Sequence, residues 1–254
     1  MDIGVVDVSV EKLRKKNLSN LLKLLWHVFR MLLISYKYRF CALVGGWIDK
    51  EGWLEYRTSS LYGRALLAYM GHEVEVEGLE LLEGLQGNYV VAANHASYLD
   101  WPVLLAYFPT HLRFIAKKEL THIPALGSYL AKRGILVKRV ASKATFAKIE
   151  HGITDSDPTP ILIFPEGTRS EDGQPKKFKR GGLVLFCKYN WPIVPVTITG
   201  THEHLPRDAM MFKPGGKFRM IVGKPLYRKD FDSDDAIIGA VQERVHLAFH
   251  EVTA

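Results

Sequence analysis

The sequence predicts an α/β fold, a largely parallel central sheet flanked by helices with an N-terminal amphipathic helical segment ahead of it, and three observations carry that expectation. From about residue 72, short apolar runs alternate with segments of helical periodicity, the pattern of strands joined by covering helices. Two polar motifs, Asn94-His95-Ala96-Ser97-Tyr98-Leu99-Asp100 and Phe164-Pro165-Glu166-Gly167-Thr168-Arg169-Ser170, each follow such an apolar run, which suggests one site at one sheet edge. The stretch 18–48 reads differently, being densely apolar yet interrupted by Lys23, His27, Arg30, Lys37 and Arg39.

In order along the chain, strands are expected at 74–76, 89–92, 113–115, 135–137, 161–164, 193–199 and 218–222. Helices are expected between and after them at 101–107, 120–132, 142–151, 182–188 and 234–250, the last with Ser233 as its cap. The boundary falls between an N-terminal region, 1–71, and an α/β domain, 72–254. A chain of 254 residues holds one large domain plus an appendage and can bury a sizeable core. Cys41 and Cys187 are far apart, sit among apolar neighbours and lack CxxC spacing, so reduced, buried thiols are expected. There is no internal repeat and no low-complexity segment.

The net charge of +7 is unevenly spread. Residues 1–50 carry nine Lys/Arg against four Asp/Glu, 51–100 two against eight, and 101–150 nine against two. Near the N-terminus the basic residues are interleaved with Leu, Trp, Phe, Met and Ile, which favours an anionic membrane surface over nucleic acid. No window reaches the ~18–20 uninterrupted apolar residues of a spanning helix. Asn20, Lys23, His27 and Arg30 instead fall at helical spacing on a narrow polar stripe. Such a helix lies in a bilayer interface or packs on the protein's own core. A cleaved signal peptide fits poorly, because charge breaks the apolar run and no small-residue cleavage site follows.

His95 and Asp100 would stand about 140° apart on a helix. Pro102 is best tolerated in a first helical turn, so the helix is expected to start near 99–101 with Ser97 or Asp100 capping it. That leaves His95 on the loop leaving the strand, where Asp100 can fold back to one ring nitrogen. A carboxylate on Nδ1 fixes the tautomer and stabilises the imidazolium formed when Nε2 takes a proton. No GxSxG elbow occurs and neither cysteine neighbours a motif, so the substrate itself would supply the nucleophile. The same Ser97–Asp100 spacing is also that of a helix-capping box.

In the second motif Glu166, Gly167, Thr168 and Arg169 combine an acceptor, a flexible backbone and a guanidinium, which suits a phosphate with neighbouring hydroxyls. Downstream, Lys176, Lys177, Lys179 and Arg180 precede Gly181-Gly182 and a helix, a second candidate anion site or an ordinary solvated basic loop. His202-Glu203-His204 has no third ligand motif nearby and reads as a solvated loop rather than a metal site.

Together these residues resemble the glycerolipid acyltransferase family, which contains 1-acylglycerol-3-phosphate O-acyltransferase. Four blocks match in order over about residues 72–225. Asn94 to Asp100 resembles the NHxxxxD block, and Phe164 to Ser170 the FPEGTRS block. Gly134-Ile135-Leu136-Val137-Lys138-Arg139, preceded by Lys117-Lys118-Glu119-Leu120 and Ile123-Pro124-Ala125-Leu126-Gly127, resembles the second, and Ile193-Val194-Pro195-Val196 the short fourth.

The resemblance implies that His95 is the general base and Asp100 its orienting partner. It further implies that Arg139, Glu166, Gly167, Thr168 and Arg169 hold the glycerophosphate of an acceptor, and that the fourth block lies on the acyl side. Lys117, Lys179 and Arg180 are secondary anion-site candidates. The expected reaction moves a fatty acyl group from acyl-CoA or acyl carrier protein to the sn-2 hydroxyl of lysophosphatidic acid, at the cytoplasmic face of a membrane, with no metal and no cofactor. Another lysophospholipid or a lyso-aminolipid as acceptor, or a membrane-surface module without catalysis, are the competing readings.

Overall fold

The computed structural model describes residues 53–85, 87–122, 126–137, 159–209 and 211–253, residues 147 and 150, and parts of the stretch 22–49. Strands β1 (His72–Glu77), β2 (Val90–Ala93), β3 (Arg113–Lys117), β4 (Ile135–Val137), β5 (Ile161–Ile163), β6 (Ile193–Thr199) and β7 (Gly216–Val222) form one sheet in the spatial order β1-β7-β6-β2-β5-β3-β4. Every adjacent pair is parallel except β6 with β7. Each strand expected from the sequence is present. The helices are α1 (Trp53–Tyr69), α2 (Asp100–Tyr107), α3 (Leu126–Arg133), α4 (Arg180–Lys188), α5 (Thr201–His204) and α6 (Asp234–Thr253).

The burial pattern explains the strand order. All four residues of β2 and all seven of β6 are buried, as central strands covered on both faces require. In β1, at one edge, Glu73, Glu75 and Glu77 alternate outward with inward-leaning neighbours. Charge along an edge strand also discourages pairing with another chain.

Successive β2 side chains point to opposite faces. Val91 and Ala93 join a core with Tyr62, Leu66 and Leu67 of α1 and Val103 and Leu104 of α2. Val90 and Ala92 join a second core with Leu183 and Phe186 of α4 and Ile237, Val241 and Val245 of α6. Gly63 lets α1 approach α2: a Cβ there would stand 2.7 Å from the Pro102 carbonyl oxygen. Thus β2 and β5 are neighbours, yet the chain leaves β2 for α2 on one face and leaves β5 for α4 on the other. Where successive helices part in this way, a crevice opens beyond the strands' C-terminal ends.

All described residues between 22 and 48 are helical. Met31, Ile34 and Tyr38 pack on the first core, and the Ser35 and Tyr62 hydroxyls are hydrogen-bonded at 3.0 Å. Arg30 lies over the Tyr69 ring, whereas Asn20, Lys23 and His27 of the expected polar stripe lie outside the described residues. No described helix is long and apolar enough to cross a membrane.

Some local expectations need correction. Cys187 is buried but Cys41 is exposed, both being free thiols. The expected helix at 120–132 divides into a 3-10 turn, Lys118–His122, and α3. Helix α4 begins two residues early, at Arg180. Of the helix expected at 142–151, Ala147 and Glu150 are helical and the rest lies outside the described residues. The triplet His202-Glu203-His204 is a helical turn rather than a loop. Ser233 does accept the Ala236 N–H at 3.1 Å, as a cap should.

Candidate active site

The two motifs leave β2 and β5 side by side and fold onto each other. Asp100 opens α2 and its carboxylate turns back over the preceding loop. Its Oδ2 receives His95 Nδ1 at 2.7 Å and the N–H groups of Ala96 and Ser97, both at 2.9 Å. Its Oδ1 receives the Thr201 hydroxyl at 2.6 Å. Neither Ser97 nor Asp100 caps α2: Leu99 is the N-cap residue, without a side-chain cap bond, and the Ser97 hydroxyl accepts the Leu99 N–H at 3.1 Å. The reason is competition, since the Asp100 carboxylate is already engaged by the His95 ring, the Ala96 and Ser97 N–H groups and the Thr201 hydroxyl.

The dyad is sealed on one side and open on the other. The Asp100 side chain has no exposure, whereas that of His95 is 19% exposed. The imidazole stacks on Phe164 with ring centres 4.0 Å apart and planes 17° apart. Both backbone groups of His95 are held by the second motif: Glu166 Oε1 accepts its N–H at 3.1 Å, and its carbonyl accepts the Ser170 N–H at 2.8 Å. The Asn94 side chain binds both backbone groups of Ile198 in β6, at 2.9 and 2.8 Å. A ring fixed through Nδ1 keeps Nε2 as its proton acceptor.

Glu166 itself is buried, and its Oε2 has no hydrogen-bond partner among the described residues. Burial pushes its carboxyl up to about 7, against the opposing pull of the His95 N–H and of Lys176. Gly167 has φ +75°, a conformation glycine adopts without strain, and a Cβ there would stand 2.9 Å from Lys179 Nζ. Lys176 Nζ donates to Thr168 Oγ1 at 2.9 Å and to the Arg169 carbonyl at 2.8 Å. The Arg169 guanidinium lies 3.7 Å from the centre of the Tyr98 ring, and its Nη1 is buried with no partner among the described residues.

Between these loops and β3 lies a cavity of about 270 Å³. His95, Gly167, Thr168 and Arg169 line it, with Lys117 from the end of β3 and Arg207 from beyond α5. Trp101, Phe114, Leu120, Leu130 and Ile163 supply an apolar wall. The His95 imidazole therefore borders a space lined by both cationic and apolar side chains. Among the described residues no group of three or more His, Cys, Asp or Glu could hold a metal ion.

Not every candidate converges on the cavity. Arg180 pairs with Asp235 of α6 at 2.5 Å and does not line it. Lys179 Nζ approaches Gly167, but neither Lys179 nor Glu166 lines the cavity. Arg139 lies outside the described residues. The block Ile193-Val194-Pro195-Val196, expected on the acyl side, is buried within β6 between β2 and β7 and does not line the cavity. Sequence reasoning missed Thr201, Tyr98 and Arg207. Thr201 is 101 positions from Asp100, and no local pattern signals that pairing.

The family profile described as Acyltransferase matches residues 73–199, a span that includes both motifs. The chain belongs to the Acyltransferase family. It is 30% identical over 208 residues to the 1-acyl-sn-glycerol-3-phosphate acyltransferase of Limnanthes douglasii, covering 79% of this chain and 70% of that protein. The chloroplastic 1-acyl-sn-glycerol-3-phosphate acyltransferase of Brassica napus is 30% identical over 172 residues, 65% of this chain and 48% of that one. The chain thus spans about half the length of the Brassica napus and Arabidopsis thaliana relatives, 48% and 46%. Among solved structures, the 1-acyl-sn-glycerophosphate acyltransferase PlsC of Thermotoga maritima superposes with a TM-score of 0.71 at 29% identity, over 89% of this chain and 97% of that one.

Proposed function

We propose that this acyltransferase moves a fatty acyl group from an acyl thioester, acyl-CoA or acyl carrier protein, to the sn-2 hydroxyl of lysophosphatidic acid. The observation that carries this reading is the position of His95. Its Nδ1 is held by a sealed carboxylate, and its ring borders a cavity lined by guanidinium groups and apolar side chains. His95 Nε2 takes the hydroxyl proton as that oxygen attacks the thioester carbonyl. The C–S bond then breaks, and the imidazolium returns the proton to the departing thiolate. Holding both substrates at one crevice supplies much of the remaining rate. The amides of Ala96 and Ser97 are occupied by Asp100, so the oxyanion must find its donors elsewhere. Arg169, Lys117 and Arg207 suit the acceptor phosphate, and the relatives, named as 1-acyl-sn-glycerol-3-phosphate acyltransferases, point to the same acceptor.

A membrane surface, at its cytoplasmic face, is the proposed setting. Leu22, Leu25, Trp26, Phe29, Leu33, Tyr36 and Phe40 recur at helical spacing and are exposed, while Met31, Ile34 and Tyr38 of the same stretch pack inward. An apolar face of that kind buries well among lipid headgroups, where the acceptor and product reside.

The test is thiol release by purified protein on vesicles, with acyl-CoA and acyl carrier protein donors crossed against a panel of lysolipids. Turnover is expected with lysophosphatidic acid, and His95→Ala is expected to lower it by at least roughly 100-fold while the fold and vesicle binding persist. Full activity in that variant, or vesicle binding by the wild type without turnover of any donor, refutes the proposal.

A further inference from the structure

We infer that Thr201 is a positioning residue of the catalytic dyad, acting on His95 through Asp100. The inference rests on the acyl-transfer reading of that dyad but concerns a residue outside both polar motifs. Thr201 and Asp100 are both fully buried, and the hydroxyl donates to Oδ1 at 2.6 Å. The other carboxylate oxygen, Oδ2, carries His95 Nδ1 and two backbone N–H groups. A buried carboxylate needs donors on both oxygens, and a donor on Oδ1 directs Oδ2 at the imidazole.

The fold goes to some length to deliver this hydroxyl. The Asn94 side chain, immediately before His95, locks the Ile198 backbone from both sides and so fixes where β6 ends relative to the dyad. Gly200 then turns the chain with φ +84°, in a space where a Cβ would lie 2.5 Å from the Lys217 carbonyl oxygen. Thr201 follows at once as the first residue of α5. Ser97 ties down the other end of that helix by donating to the Leu205 carbonyl at 2.8 Å. The loop that bears His95 and the segment that bears Thr201 therefore position each other at three points.

Thr201→Val keeps the shape and removes the donor. In the full chain, kcat is expected to fall roughly 10- to 100-fold, the range that a hydrogen bond to a charged group commands. KM for donor and acceptor should stay within about twofold, and Thr201→Ser should restore kcat. A second readout does not need turnover: the proton between His95 Nδ1 and Asp100 is expected as a downfield NMR resonance that shifts or vanishes in Thr201→Val and persists in Thr201→Ser. An unchanged resonance in folded Thr201→Val overturns the inference, as does wild-type kcat. If turnover survives His95→Ala, the acyl-transfer reading falls and the resonance alone decides for or against Thr201. Should Thr201→Val fail to fold, Thr201→Cys replaces it with a weak S–H donor. Reduced kcat there supports the inference, and full kcat overturns it.

Discussion

The two loops that form the site handle their polar atoms in opposite ways. In the loop after β2, both oxygens of Asp100 are engaged, Asn94 spends both ends of its amide on Ile198, and both backbone groups of His95 are bound. In the loop after β5, Glu166 Oε2 and Arg169 Nη1 are buried without a hydrogen-bond partner among the described residues. The first loop is finished by the fold, and its precision needs no substrate. Of Glu166 and Arg169, it is Arg169 that lines the cavity, where a buried donor is most strongly rewarded by an anion. On the proposed acyl-transfer reading, the base is oriented before the substrate arrives, whereas the binding group keeps a donor for it.

Three substitutions break or sharpen this contrast. The largest effect is expected on the finished loop. Asp100→Asn keeps the size but puts an amide against His95 Nδ1, favouring the wrong tautomer, so kcat should fall roughly 100- to 10,000-fold with little change in KM. A drop confined to KM would mean that Asp100 merely braces the helix.

On the open loop, Arg169→Gln should act mainly through binding. KM for lysophosphatidic acid is expected to rise roughly 10- to 100-fold, while a phosphate-free acceptor of equal chain length is hardly affected. Equal loss on both acceptors would show that the guanidinium serves the Tyr98 contact rather than a phosphate.

Glu166→Gln probes the boundary between the loops and should appear chiefly in stability. The Glu166 carboxyl is raised from 4.5 to about 7 by burial, so it titrates higher in the folded chain than in the unfolded one. Its contribution to stability is therefore full below about pH 4.5 and lost as pH rises through about 7. Relative to the Gln variant, the wild type should weaken between pH 5 and 8 by up to ~3 kcal/mol. Melting temperatures that run parallel across this range would contradict that origin. Since Gln keeps an oxygen for the His95 N–H, activity near pH 6 should change little.

The sequence by itself determined the seven strands and singled out His95, Asp100, Gly167 and Arg169, but it named neither α1 nor α5 as a helix. Seven short apolar runs became seven strands, because alternation, length and flanking turn residues are local properties. His95 with Asp100, and Gly167 with Arg169, were legible because each motif is contiguous and its residue types match one kind of chemistry. Only the tertiary structure decided which strands are neighbours. It set β7 antiparallel to β6 and parallel to β1, and placed Ile193 to Val196 in the sheet interior rather than beside the cavity. It also turned Arg180 toward Asp235, brought Arg207 to the cavity and delivered Thr201 to Asp100. Such pairings join residues tens of positions or more apart, and depend on how covering helices divide between two faces and where each strand stops. A linear pattern encodes the donors and acceptors, but which of them meet is a property of the packed core.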